Sequence, residues 1–474
     1  MHQPSPLLTD FYQLTMAYAY WQLGKHEQEA TFHLLFRRHP FKGDFALCAG
    51  LGSVISLIEH WRFSDDDLAY LASLSNANEE PLFNQAFIDA LGKLSFTGSI
   101  DAVPEGTVVF ANEPILRVQA PLWQCQLLES ILLNFMNFQT LIATKAARVC
   151  EAAGGDPVFE FGMRRAQGPD GALSASRAAY IGGCVATSNA LAGKLYDIPV
   201  RGTHAHSFVT AFDSEPEAFA AYIKTMPHQA SLLVDTYNTV EGVKHAIAAG
   251  RVLREQGADL LNIRLDSGDL ADLSIKARAL LDEAGFQNTG IIASNSLDEH
   301  VIRDLKSQGA KINVWGVGTH LTTAYDQPAL DGVYKMGALK NAEGEWTPRI
   351  KLSEQAVKIS NPGRHQVRRY FKNGEMIADV IFDLDLGLDT LPKCTSIDGN
   401  TVVTLDDHDA TQDLLEPVFV SGKRVQPDRS IHHIQEHAAD ALRQFRESKT
   451  TPYPVYLEKT LHDNKLALIQ AMRA

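Results

Sequence analysis

The hydrophobic pattern of this chain changes period twice. Over residues 30–37 apolar and polar positions alternate, with Phe32, Leu34 and Phe36 on one side, which predicts a strand. Residues 96–119 carry more short β pattern, interrupted at Pro104-Glu105-Gly106 and Asn112-Glu113-Pro114. Turns at that spacing predict a small antiparallel meander. From 122 to 153 the spacing becomes helical. Leu127, Ile131, Leu132, Phe135 and Phe138 share one face, as in a helix packed on a core.

After Gly155 the rhythm changes again. Short apolar runs at 158–161, 198–200, 232–234, 260–265, 291–293, 312–315 and 333–334 alternate with amphipathic stretches of helix length. The runs around Val200, Val234, Ile263 and Ile292 are spaced by roughly 30 residues, one strand–helix unit, which predicts parallel strands. Such a series predicts an irregular (β/α) barrel, with its chemistry on the loops that follow the strands. Beyond 340 there is a turn signal at Asn361-Pro362-Gly363, a strand at 380–382 and a helix over 431–446. The fold class expected is therefore α/β. An N-terminal α+β domain (1–150) precedes a barrel-like domain (151–340), and a C-terminal segment (341–474) packs back on the N-terminal domain.

Composition narrows the class. The 474 residues are 45% hydrophobic and 21% charged, ordinary for a globular enzyme. The formal net charge of −14, with no Lys/Arg-rich block to offset it, speaks against a nucleic-acid binder. Phosphate ligands stay open, since a few local arginines and backbone N–H groups suffice for them. Cys48, Cys125, Cys150, Cys184 and Cys394 are scattered singly, which fits reduced, structural thiols. Residues 1–8 lack a charged region followed by an apolar stretch, and no apolar run approaches about 18 residues. A cytoplasmic protein with no membrane partner is expected.

The strand ends carry the candidate chemistry. The first ends in Phe161-Gly162-Met163-Arg164-Arg165, an aromatic ring beside two guanidinium groups that would suit a flat anionic ring. Gly202-Thr203-His204-Ala205-His206 offers a hydroxyl and two imidazoles, and Asp235-Thr236-Tyr237-Asn238-Thr239 a carboxylate, with Thr239 as a cap for the next helix. Arg264-Leu265-Asp266-Ser267-Gly268-Asp269 delivers a cation and two acids within a turn. Arg264 and Asp266 fall on the same side of the strand, and Asp269 is equally a helix cap. Ser294-Asn295-Ser296 and Gly316-Val317-Gly318-Thr319 pair small residues with hydroxyls, letting backbone approach a phosphate. The His204/His206 pair reads either as metal ligands, with His320 the only later histidine to join them, or as one nucleophilic or acid/base imidazole beside phosphate. A structural histidine is the third reading, stronger for His204 than for His206.

In this order the motifs resemble the nicotinate phosphoribosyltransferase family. The resemblance begins at Leu7-Leu8-Thr9-Asp10-Phe11-Tyr12-Gln13-Leu14-Thr15-Met16 and continues through Phe161-Gly162-Met163-Arg164-Arg165-Ala166-Gln167-Gly168-Pro169-Asp170-Gly171-Ala172 and the later strand ends. It implies a homodimer with active sites formed between subunits. It also implies transfer of the phosphoribosyl group of phosphoribosyl pyrophosphate to nicotinate, with ATP as co-substrate through a phosphohistidine matching His206. By the same matching Tyr12, Thr203 and Arg264 would contact nicotinate, Phe161 would stack on it and Thr319 would hold the 5-phosphate. Nicotinamide-using relatives look as if they need an acid near residues 182–190. This chain has Thr187 and Ser188 there and no acid before Asp197, which favours the pyridine acid over the amide.

Within that expectation, Asp235 and Asp266 are candidates for ribose hydroxyls or for Mg²⁺, with the choice between them open. Arg164 and Arg165 are candidates for nicotinate or pyrophosphate oxygens. Ser267, Gly268, Ser294, Asn295, Gly316 and Gly318 complete the phosphoribosyl set. A nicotinamide or quinolinate transferase, a metal-dependent barrel hydrolase and a non-catalytic relative are the competing classes.

Overall fold

The computed structural model describes residues 5–355, 358–448 and 452–473. Two compact units emerge. One joins Met1–Leu141 with Ala329–Ala474, and the other is Ile142–Pro328.

The first unit is built on largely antiparallel sheets, with one parallel pair between Glu375–Asp383 and Val455–Glu458. In the larger, Glu29–Phe36 lies between Pro114–Pro121 and Gly332–Lys340, and Ser99–Ala102 extends it on the far side of Pro114–Pro121. The run at 333–334, expected as a late barrel strand, is thus half of an antiparallel pair with residues 30–36. A short apolar run carries no mark of which sheet will take it. A second sheet centres on the hairpin His365–Lys372 and Glu375–Asp383, and the helix Ile431–Glu447 belongs to the same unit. Arg369 forks onto Asp379 at 2.6 and 2.9 Å, and Tyr453 donates to the same carboxylate at 2.8 Å. His33 and His365 stack at 4.2 Å between ring centroids.

The second unit holds six parallel strands: β1 (Val158–Glu160), β2 (Ala186–Thr187), β3 (Ser231–Leu233), β4 (Asn262–Leu265), β5 (Gly290–Ala293) and β6 (Val314–Val317). Their order is β2-β1-β6-β5-β4-β3, an open, irregular (β/α) sheet with edges at β2 and β3. The expected strand at 198–200 is reduced to a single bridge between Val200 and Thr187, and the two-residue β2 takes the edge position instead.

Helices follow the strands, and those after β3, β4 and β5 start at side-chain caps. Asn238 accepts from Glu241 N–H at 3.1 Å, Asp269 from Ala271 and Asp272 N–H at 3.1 Å each, and Asp298 from His300 and Val301. Each such cap contributes about 1 kcal/mol. The cap of Thr239–Glu255 is therefore Asn238, one residue before the Thr239 read from the sequence. The helix over 122–153 runs unbroken as Leu122–Ala153. Close backbone packing fixes Gly242, where a Cβ would lie 2.0 Å from Val234 O.

Candidate active site

Strands β1, β3, β4, β5 and β6 each release a loop at the C-terminal edge, and the polar side chains there bond to one another. Arg264, near the end of β4, is held by three partners. Nε donates to Ser294 Oγ at 2.9 Å, Nη1 to Thr203 Oγ1 at 3.2 Å and Nη2 to Asp266 Oδ1 at 3.0 Å. A guanidinium has five N–H donors, so one on each terminal nitrogen remains uncommitted by these bonds. Its carbon stands 5.7 Å from the centroid of the Phe161 ring. Ser294 also donates to Asp266 Oδ1, so the guanidinium, the hydroxyl and the carboxylate form a closed triangle.

Asp235, just beyond β3, accepts Asp266 N–H at 2.8 Å and Ser267 Oγ–H at 2.6 Å, both on Oδ2. Its Oδ1 is buried and has no hydrogen-bond partner. An orphaned carboxylate oxygen is costly in a folded protein. His206 faces it. Nε2 lies 3.9 Å from Asp235 Oδ1 and 3.8 Å from Asp266 Oδ2, while Nδ1 is 3.1 Å from Thr236 Oγ1. The imidazole side chain is 42% exposed, so Nε2 is accessible between two acids. Nδ1 bonded to a hydroxyl is the arrangement that leaves Nε2 free to act as nucleophile or base.

His204 has a different use. Its Nε2 accepts Leu233 N–H at 3.2 Å, and Phe208 and Tyr222 pack on its ring. Burial lowers its pKa below the ordinary histidine range, opposed by its bond to Ala205 O. It is a structural, neutral imidazole, so the His-x-His pair is split between two roles. His320 is likewise engaged, with Nδ1 3.1 Å from Asp298 Oδ2 and its ring stacked on Tyr325 at 4.5 Å. Among the described residues no group of three His, Cys, Asp or Glu could hold a metal ion.

On the other side of the site Phe161 leans on β6. A Cβ at Gly316 would come within 2.7 Å of its ring, and one at Gly318 within 3.2 Å of its carbonyl oxygen. Thr319 opens the turn after Gly318. Arg164 and Arg165 form a short exposed turn, Met163–Arg165. Gly268 (φ 78°) closes the Asp266–Asp269 turn, and Asn295 (φ 90°) adopts a left-handed conformation that non-glycine residues seldom hold away from functional loops. Below Thr203 and Phe161 a cavity of about 360 Å³ opens, with Arg201, His228 and Asn262 on its walls.

With this geometry in hand, comparison with known proteins decides the family. Profiles described as the nicotinate phosphoribosyltransferase N-terminal domain, family and C-terminal domain match residues 7–137, 157–375 and 364–465. The chain belongs to the nicotinate phosphoribosyltransferase family. The nicotinate phosphoribosyltransferase of Bacillus subtilis (strain 168) is 43% identical over 482 residues, covering 99% of this chain and 96% of its own. That of Caenorhabditis elegans is 36% identical over 534 residues, with 96% and 92% covered. The crystal structure of human nicotinic acid phosphoribosyltransferase superposes with a TM-score of 0.83 at 29% identity, over 97% of this chain and 99% of that one. The nicotinate-nucleotide pyrophosphorylase of Pyrococcus furiosus, at 20% identity and a TM-score of 0.70, shares the fold.

The remaining family positions fall outside that cluster or were not legible in the sequence. Tyr12 belongs to the first unit, on the helix Phe11–Gln22, where it and Phe11, with Leu8 just before the helix, are all at least half exposed. Burial, then the charges of Glu129 and Asp10, raise its pKa. Glu160 was not anticipated. It stands fully buried at the end of β1, and its carboxylate reaches Thr187 from a neighbouring strand. An acid therefore does lie beside the 182–190 segment, although it already accepts three hydrogen bonds. The first unit also encloses a cavity of about 710 Å³, into which Arg37, Lys335, Lys358 and Lys465 converge from four separate segments.

Proposed function

We propose that this chain joins nicotinate to phosphoribosyl pyrophosphate, giving nicotinate mononucleotide and pyrophosphate, and couples the transfer to ATP hydrolysis through His206. The carrying observation is Arg264, pinned at three nitrogens beneath Phe161 with two N–H groups left over. That is the complement of a planar ring bearing one carboxylate. An amide would set an N–H against one of those donors.

In the transfer the pyridine nitrogen forms a bond to the anomeric carbon as the carbon–oxygen bond to pyrophosphate breaks, and the departing oxygen keeps the electron pair. Arg264 binds only the nicotinate carboxylate, which leaves the ring nitrogen unprotonated and aimed away from it. Asp235 and Asp266 face the positive charge that develops on the ribose. Asp235, through its orphaned Oδ1, and Asp266 would hold the Mg²⁺ ion that accompanies pyrophosphate. Bound there, the ion would neutralise phosphate charge. The loop Gly316–Thr319, with Ser267, Gly268, Ser294 and Asn295, would hold the phosphoribosyl group, and Arg164 and Arg165 would meet pyrophosphate. For the coupling step Nε2 of His206 attacks the γ-phosphorus of ATP, ADP leaves, and water later cleaves the phosphoimidazole. The half-exposed apolar cluster at Leu8, Phe11 and Tyr12 supports a homodimer in which Tyr12 reaches the other copy's nicotinate. Cys48, Cys125, Cys150, Cys184 and Cys394 form no disulfide, which fits a reducing cytoplasm.

The test is a product assay by mass with phosphoribosyl pyrophosphate, Mg²⁺ and nicotinate, nicotinamide or quinolinate, each with and without ATP. Nicotinate mononucleotide with an ATP-stimulated yield is expected, and His206→Ala should keep a slow transfer while losing the stimulation. Product from nicotinamide alone overturns the specificity, and unchanged ATP coupling in His206→Ala removes that residue from the reaction.

A further inference from the structure

Strand β1 alternates. Phe159 and Phe161 line the cavity below the site, so Val158 and Glu160 face the other side of the sheet. There the helix Gly168–Ile181 packs, and Val158, Ala172, Leu173, Ala175 and Ala179 are all buried. An acid is the residue type least expected in such a layer. Glu160 is nonetheless 0% exposed. A carboxylate can stay there only if its oxygens are hydrogen-bonded.

The bonds it makes lead to the loops of the site. One oxygen accepts the N–H of Gly162, and the other accepts Ser176 Oγ–H at 2.8 Å and Thr187 Oγ1–H at 2.6 Å. Thr187 in turn accepts Asn189 N–H at 3.0 Å, and Asn189 caps the helix Ala190–Tyr196. Gly162 sits in a slot. A Cβ there would come within 2.3 Å of Thr322 Oγ1 and 2.8 Å of Gly318 O, so the turn after β1 is pressed against the loop after β6. One buried carboxylate thus ties the turn carrying Phe161 to the segment after β2, and through Gly162 to the Gly318–Thr322 loop. A leucine would fill the same apolar layer without the cost of desolvating a charge. What it would lose is this hold.

We infer that Glu160 is a positioning residue for nicotinate, which from behind the sheet fixes the turn that presents Phe161 over Arg264. It does not touch substrate. The inference rests on the proposed nicotinate site, so Phe161→Ala serves as its control.

Three variants of the full chain are assayed for steady-state kinetics in both substrates and for thermal unfolding: Glu160→Leu, Glu160→Gln and Thr187→Val. Glu160→Leu strands the Gly162 N–H and should lower the melting temperature, while the KM for nicotinate rises about tenfold, with kcat within about threefold, as expected for a misplaced ring contact. Glu160→Gln keeps an acceptor for Gly162 N–H and should recover most of the loss. Thr187→Val removes one bond to the same carboxylate and should raise the nicotinate KM about twofold to threefold. A purely structural role predicts lowered melting with unchanged KM in the folded fraction. That result, or a rise confined to the KM for phosphoribosyl pyrophosphate, overturns the inference. Should neither Glu160 variant fold, Thr187→Val decides by the same criterion. If Phe161→Ala leaves the nicotinate KM at the wild-type value, the proposed site itself has failed. If it raises KM while the Glu160 and Thr187 variants do not, only the positioning role has failed.

Discussion

Two clusters, one in each unit, treat charge in opposite ways. In the first unit two buried arginines are closed: Arg369 forks onto Asp379 with Tyr453 as a third partner, and Arg117 reaches Asp101 at 2.9 Å and His365 O at 2.7 Å. In the parallel unit the same residue types gather at strand ends and keep open valences. Asp235 Oδ1 is orphaned, His206 Nε2 is accessible, and Arg264 holds two N–H groups in reserve. Closure serves stability, and incompleteness serves ligands. A variant should therefore damage folding in the first cluster and binding in the second.

The largest effect should come from Arg369→Ala. It strands the Asp379 carboxylate, and Glu113 beside it, in a fully buried layer, so a loss of about 3–5 kcal/mol in unfolding free energy is expected by denaturant titration. A loss under about 1 kcal/mol would mean that the pair is not a closed structural unit. Next, Arg264→Ala should cost about 2–3 kcal/mol in nicotinate binding, read by calorimetry, with little change in melting. Wild-type affinity in that variant would take Arg264 out of the site.

A pH experiment sharpens the comparison. Burial pushes His365 down to about 4, opposed by its bond to Pro362 O and reinforced by Arg117 and Lys465. Burial first, then the charges of His365 and Arg117, carry His33 well below the ordinary value. Both are neutral in the folded core, whereas unfolded imidazoles bind protons near 6.5. Their contribution is thus complete above about pH 6.5 and is lost as pH falls below it, for His365 towards about 4, with a slope of at most about 1.4 kcal/mol per pH unit for each. His365→Gln should flatten the stability curve in that window; an unchanged slope would assign acid lability elsewhere. The smallest effect belongs to Asn238→Ala, which removes a helix cap and should lower stability by about 1 kcal/mol without altering KM for either substrate.

Much of this arrangement was legible in the chain because local physics wrote it there. The helix at 122–153 follows from its apolar period alone, and the spacing of the strand–helix units gives the parallel sheet. Polar residues at strand ends named the members of the site, since alternation puts Arg264 and Asp266 on one side of β4. What stayed hidden depends on partners distant in sequence. Residues 333–334 look like any buried strand until Glu29–Phe36 pairs with them. Ile198–Val200 has the apolarity of a strand but only a bridge to join. Glu160 reads as a solvent-facing acid in an alternating run, and only Ser176 and Thr187, contributed by other elements, turn it inward. The cations of the first unit's cavity lie on four segments, so no motif could collect them.

The fit of Gly162 under Thr322 and of Gly316 under the Phe161 ring also bears on how this protein can change over generations. Each glycine is closed to every other residue unless its neighbour shrinks at the same time, so single-codon drift at either position ends in a clash. Thr322 and Phe161 therefore have to change together with the glycines they cover, which ties the two loops into one unit of inheritance.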